Sequence, residues 1–313
     1  MRATLLIPFY VTSLALSVAG LSPLNAMVLA VPVAWAVSCG RRGWTVGLIM
    51  LNMLTLSAGR GSLLAGAVGT LVSLSGVPAG YRTRRGGWFG EVAAVFALAA
   101  FAVLGLQMAL YWNENLAQWQ HFLDSQASQI TESEVAEAIS AWREYLPYVV
   151  PGSIFAGCYM VALLQTQVLF GLLRRMEPDG CAPQPQGRFI LSRPADTLVW
   201  LAIAVLAGLV LDYFRSSDAV RFIAWNLGIA LSAVYWFNGL GIVLFGLEVF
   251  RVPVWVGVIL LGLLVVTSLQ SMLLVFGFFD TWFDHRLVLA RLAAARAQQN
   301  PNGPEDNGPS DEP

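Results

Sequence analysis

The sequence predicts an all-α protein: a polytopic bundle of transmembrane helices with eight to nine hydrophobic segments. Three observations lead there. Of 313 residues, 57% are hydrophobic and 12% charged, where soluble domains carry roughly 25% charged residues. The apolar residues gather into nine blocks, near 4–20, 23–39, 43–58, 62–79, 90–112, 147–173, 197–213, 222–247 and 252–279. Charge avoids these blocks. They hold 189 residues, so an even scatter would place about 22 of the 37 charges inside, yet only Glu91 and Asp212 fall there, each within two residues of a block end. A charge at the bilayer centre costs roughly 3 kcal/mol on insertion scales, which is the physical reason for such an exclusion. The composition therefore excludes a secreted globular enzyme, a nucleic-acid binder and a soluble cofactor protein. The partner it demands is the lipid bilayer.

Taken in order, residues 1–174 form an N-terminal membrane portion. Arg2 ahead of an apolar run and Ser17-Val18-Ala19 imitate a secretory signal, but with eight more blocks behind it the first block reads as an uncleaved span. Blocks of 16 to 18 residues would cover about 24 to 27 Å, slightly under a ~30 Å hydrocarbon core, so they are short spans or in part re-entrant. In the fourth block Ala65, Gly69 and Ser73 recur every four residues beside Ser62, Gly66 and Thr70. Such a small-residue face lets another helix, within the bundle or from a protein partner, approach closely.

Segment 113–146 sets six acids against Arg143 and belongs outside the membrane. Leu116, Trp119, Leu123, Ala127 and Ile130 recur at helical steps, and Thr131 to Glu134 reads as a capping box ahead of Val135, Ile139, Trp142 and Leu146. An amphipathic helical hairpin is expected, packed on the bundle or headgroups or lying as a lid over a mouth. Residues 175–195 form an irregular Pro-, Gly- and Gln-rich cytoplasmic loop, 196–280 the C-terminal transmembrane helices and 281–298 a juxtamembrane helix. The tail 299–313 has four acids and nothing to bury, the pattern of a disordered segment.

Basic charge sets the orientation. There is no lysine, and all 18 basic residues are Arg. With a cytoplasmic N-terminus, eleven Arg ahead of the C-terminal segment fall inside and four outside, the asymmetry of a bacterial cytoplasmic (inner) membrane protein. Nine full crossings would strand Arg286, Arg291 and Arg296 outside. Eight crossings with both termini inside remove the conflict, with either block 252–279 (Thr267, Ser268, Gln270 and Ser271 at its middle) or block 222–247 (Asn238-Gly239) broken.

Motifs of catalysis are missing. His121 and His285 lie in different extramembrane regions, and no His-Glu-x-x-His, Walker lysine or Gly-x-Ser-x-Gly elbow occurs. Cys39, Cys158 and Cys181 form no close pair and lack metal-ligand spacing. The reading is a non-enzyme with no catalytic, cofactor-binding or metal site. The polar residues within the blocks are neutral: Asn52, Gln107, Gln165, Gln167, Asn226, Asn238 and Gln270, with Tyr159 and Tyr235. An amide at that depth must find a hydrogen-bond partner, either another helix or a small molecule. Asn52, Gln165, Asn226, Asn238 and Gln270 are thus candidates for a ligand cavity or for helix-to-helix polar contacts. Asn226 and Asn238 are 120° off register on one helix, sharing a face only if it bends near Gly239. Asp280 and Asp284 form a like-charge pair four residues apart. Compensation by Arg286 or by a basic loop would make a structural ionic lock at the membrane surface.

Gly277, Asp280, Trp282, Asp284 and Arg286 at the end of the last block, with Phe189, Pro194 and Trp200 and the Asn226 to Gly239 stretch, resemble the YybS-like family of bacterial membrane proteins of unknown function. The N-terminal portion is similar to the substrate-binding (S) components of energy-coupling-factor transporters through the break at Ser22-Pro23, the Arg42-Gly43 turn and Gly76-Val77-Pro78-Ala79-Gly80 before a basic loop. That second resemblance implies a small-molecule ligand bound from outside and docking on a membrane protein partner through Ala65, Gly69 and Ser73. Two functions follow as expectations: binding or transport of a small neutral molecule, and a non-enzymatic membrane scaffold or assembly factor acting through protein partners.

Overall fold

The computed structural model describes residues 26–60, 70–128, 133–176, 188–215, 217–267 and 270–299. The first apolar block, Ala65 and Gly69 of the small-residue row, Cys181 and the tail from residue 300 lie outside the described residues. Among the described residues the protein is all-α, with eleven helices and no β-strand: α1 Ala30–Ser38, α2 Arg42–Arg60, α3 Gly76–Arg84, α4 Phe89–Leu110, α5 Trp112–Ala127, α6 Ser133–Met176, α7 Thr197–Arg215, α8 Asp218–Val249, α9 Val254–Val266, α10 Gln270–Phe283 and α11 His285–Gln299. Helices α4, α7 and α8, and residues Tyr145–Arg175 of α6, are long and apolar enough to cross a membrane. The chain forms two compact units, up to Val234 and from Tyr235 onward, with the boundary inside α8.

In the first unit α1 is the core. Nearly every residue of it is buried, Trp35 among them with no exposed surface, as expected of a helix that is apolar all round. Its entry is irregular: the chain turns at Leu29, and Pro32 has no N–H to offer the Val28 carbonyl one turn back. Helix α3 lies directly on α1. A Cβ on Gly76 would overlap the Ala30 carbonyl, and one on Gly80 the Ala34 carbonyl, so only glycine permits this approach. The hydroxyl of Ser38 closes the contact by donating to the carbonyls of Ala34 (2.7 Å) and Gly80 (3.2 Å).

Helices α4 and α6 run antiparallel. Phe89 meets Phe170 edge-on at 5.6 Å, and Phe101 meets Phe155 at 5.5 Å. At 44 residues, α6 is about 66 Å long, well beyond the ~40–45 Å of a bilayer with its headgroups. The second arm of the acidic 113–146 segment is the N-terminal extension of this span, and α5 packs beside it. Pro147 and Pro151 interrupt the ladder where the extension becomes the span.

In the second unit the broken block is 252–279. It divides at Thr267 into α9, of 13 residues, and α10, of 14, each about 20 Å long against a ~30 Å core. The Asn238-Gly239 block stays one helix. Helices α8 and α10 touch backbone to backbone, since a Cβ on Gly239 would overlap the Leu273 carbonyl and one on Gly277 the Tyr235 carbonyl.

Gly80→Val should lower the thermal midpoint of the detergent-purified protein by roughly 5 °C or more, the equivalent of about 2 kcal/mol of overpacking. Gly157→Val, at a glycine with open space around it, should leave the midpoint within about 2 °C. Equal shifts from the two variants would show that the α1–α3 approach is not a tight contact.

Candidate functional site

The amides named from sequence divide among three places. Asn52 of α2 is fully buried and donates to the Leu29 carbonyl at 3.0 Å and to Ser73 Oγ at 3.2 Å. Gln165 of α6 donates to the Met27 carbonyl. Both amides therefore serve the irregular entry to α1, on the two carbonyls that flank Val28. Ser73 in turn donates to the Thr70 carbonyl at 2.8 Å, so the described member of the small-residue row is part of the interior. Gln270 is exposed at the start of α10 and joins neither group.

Asn238 belongs to a buried polar cluster in the second unit. Its Nδ2 donates to the Gly277 carbonyl at 2.8 Å, and its Oδ1 accepts from Arg286 Nη2 at 3.0 Å. The other guanidinium nitrogen, Nη1, meets Asp280 Oδ2 at 2.5 Å. Asp280 also accepts the His285 N–H at 3.0 Å, with the His285 ring 3.3 Å away. Asp280 and Arg286 are 1% and 4% exposed, so this ion pair is interior. Asp284 sits at the α10–α11 junction with φ +46° and caps α11 by accepting the Leu287 N–H at 3.2 Å. The two aspartates thus have separate tasks, and Trp282 is exposed beside them with its ring against Phe278 at 5.1 Å.

Asn226 borders a cavity. A slot of about 620 Å³ lies between α4 (Glu91, Ala94, Leu98, Phe101), α6 (Pro151, Gly152, Phe155, Tyr159), α7 (Leu198, Leu201), α8 (Asn226, Leu227, Ala230, Leu231, Val234) and the connector Ser192–Ala195. Its size is that of a small-molecule site. The α6 kink shapes one end. Pro151 brings Gly152 so close to α8 that a Cβ would overlap the Asn226 backbone, and Asn226 Oδ1 accepts the Gly152 N–H at 2.6 Å. The other end is ionic: Glu91 accepts from Arg82 at 2.6 Å and from the Trp88 N–H at 2.9 Å. Asp212, the second charge within the blocks, pairs with Arg221 at 3.0 Å away from this slot.

Sequence reasoning missed most of the lining. Its signal was present as four-residue steps, Gly90–Ala94–Leu98 on α4 and Pro151–Phe155–Tyr159 on α6, but an apolar stripe facing a cavity has the same spacing as one facing lipid. Among the described residues no three His, Cys, Asp or Glu side chains converge as metal ligands would.

A family model described as "Predicted membrane protein (DUF2232)" matches residues 10–281, most of the chain. The protein belongs to that family. The match supports a DUF2232 membrane protein of unknown function and nothing finer: neither the YybS-like name nor the likeness to S components comes with it. No curated protein and no solved structure matches the chain. The DUF2232 match includes Gly277 and Asp280 but ends before Arg286, so it holds one side of the buried ion pair and not the other.

Removing one partner of that pair, as in Arg286→Leu, leaves a buried carboxylate uncompensated and should cost about 3–5 kcal/mol. The double variant Asp280→Leu with Arg286→Met should recover most of that loss in denaturant titrations. If Arg286→Leu alone left stability unchanged, the pair would contribute nothing.

Proposed function

We propose that this DUF2232 protein is a non-enzymatic binding or transport protein of the bacterial inner membrane, whose ligand places an apolar body in the slot between α4, α6, α7 and α8. The observation that carries the reading is the slot itself. Its volume lies within the ~300–1,000 Å³ of ordinary ligand sites, and its apolar walls carry a few polar groups at the ends, the pattern of a site that binds by shape and orients by hydrogen bonds. Asn226 and Tyr159 are the polar groups toward the kinked end, and Glu91, Ser192 and Arg193 those toward the basic end. Asn52 and Gln165 are spent on the α1 entry, so they are no part of the proposed site. A scaffold that acts only through protein partners has no need of such an opening.

Ala94→Trp fills the slot from α4. Native mass spectrometry of the gently extracted protein should find a bound small molecule on the parent and at least tenfold less of it on the variant, with the two proteins alike in helical circular dichroism and elution volume. An occupant retained at parental levels in Ala94→Trp would overturn this reading.

The proposed topology has both termini in the cytoplasm, supported by the broken 252–279 block and the Arg distribution. With the native cysteines replaced, Ser128→Cys should react with an impermeant maleimide added to whole spheroplasts. Arg85→Cys and Leu292→Cys should react only after lysis. Labelling of Leu292→Cys in intact cells would place the C-terminus outside.

A further inference from the structure

The slot is half open rather than sealed. Three of its wall leucines, one on each of α4, α7 and α8, are exposed: Leu98 at 57%, Leu201 at 37% and Leu227 at 36%. Leu98 and Leu227 each stand nine residues in from the start of their helices, at Phe89 and Asp218, which is about 14 Å and well inside a ~30 Å hydrocarbon core. The exposed leucines thus put the opening at lipid depth. We propose that the slot takes an electrically neutral lipid with one small oxygen group, of the long-chain alcohol type, which enters sideways from the bilayer past these leucines; the proposal rests on the slot being a ligand site.

Charge sets the first part of that identity. The walls carry one carboxylate, Glu91, and one guanidinium, Arg193, so they have no net charge. Both are already engaged: Glu91 accepts from Arg82 at 2.6 Å and from the Trp88 N–H at 2.9 Å, and Arg193 likewise has a partner within the chain. A charged ligand would leave water or the headgroups for a site whose ions are committed elsewhere, which is costly at this depth. Hydrogen bonding sets the second part. Asn226 Oδ1 accepts the Gly152 N–H at 2.6 Å, and its Nδ2 donates to the Phe222 carbonyl at 2.8 Å. An amide side chain has two donor hydrogens and two acceptor lone pairs, so Asn226 can offer a ligand at most one of each, the complement of a single hydroxyl. The apolar body adds little to selection. Lipid tails are as apolar as leucine, so a chain that moves from the bilayer into the slot keeps much the same surroundings. The oxygen group then decides which chain is held.

The test uses the full chain in phosphatidylcholine nanodiscs that carry a diazirine-bearing hexadecanol, with crosslinked peptides mapped by mass spectrometry after illumination. Crosslinks should fall on slot residues such as Ala94 and Ala230, and excess unlabelled hexadecanol should suppress them about fivefold more than equal hexadecane or hexadecyl sulfate, the equivalent of one hydrogen bond. Leu106 and Val210, exposed and off the slot, report ordinary lipid contact, and their crosslinks should change less than about twofold. No variant is needed, so misfolding cannot mask the result. Hexadecane competing as well as hexadecanol, or no competitor reducing the slot crosslinks, would overturn the proposal, because bulk chains would then merely fill the opening. Equal competition by hexadecyl sulfate would overturn neutrality. A diazirine-bearing hexanol supplied from water is the remaining arm. Slot labelling by it as efficient as by the long-chain probe would overturn entry from the bilayer and leave the slot standing as a ligand site. If Leu106 and Val210 were labelled and no slot residue was, by either probe, the slot reading itself would fall.

Discussion

Every polar group buried in hydrocarbon has to be satisfied from within the chain, because no water is there to accept or donate. The interior of this protein is organised around that requirement. Its interior amides reach across to backbone groups of neighbouring segments. Asn52 and Gln165 converge on the carbonyls of Leu29 and Met27, around the turn that precedes Pro32. Asn226 takes the N–H of Gly152 next to Pro151. In the second unit, Asn238 bonds the Gly277 carbonyl and carries Arg286 to Asp280.

Close backbone approach is the other half of the packing. Lipid tails are as apolar as leucine, so helices in a bilayer gain little from burying large side chains and more from direct contact. Glycine supplies it where Gly76 and Gly80 of α3 meet α1, where Gly152 of α6 meets α8, and between Gly239 and Gly277. Where α4 and α6 meet, aromatic rings pack edge to face instead. The slot lies beside both devices, with the Phe101 and Phe155 rings on its wall and the Gly152 contact at one end.

The helical class, the membrane setting and the four long apolar helices were legible in the sequence, because charge exclusion and length depend only on composition along the chain. The ambiguous C-terminal count also pointed to its own cause. Charge placement flagged a broken block, and Thr267 in the middle of 252–279 is where the helix stops. The site was less legible. The row of small side chains at Ala65, Gly69 and Ser73 suggested a face for close helix approach, and its first two members lie outside the described residues; among the described ones, backbone contacts of that kind include Gly76 and Gly80, read from sequence as the approach to a basic loop. Spacing shows that a helix can be approached but not which neighbour approaches it.

By itself the sequence determined that this is a helical membrane protein whose charges are sorted to the segment ends, since each residue's cost of transfer into lipid is a local quantity. Tertiary structure decided what the few polar residues inside are for. Asn52, Gln165, Asn226 and Asn238 are the same residue type or nearly so, and their periodicity is uninformative. Two support a buried helix entry, one holds an ion pair together and one borders a slot. The difference lies in which backbone each amide meets across the bundle, and partners 23 to 138 residues away are set by how the helices pack rather than by any local rule.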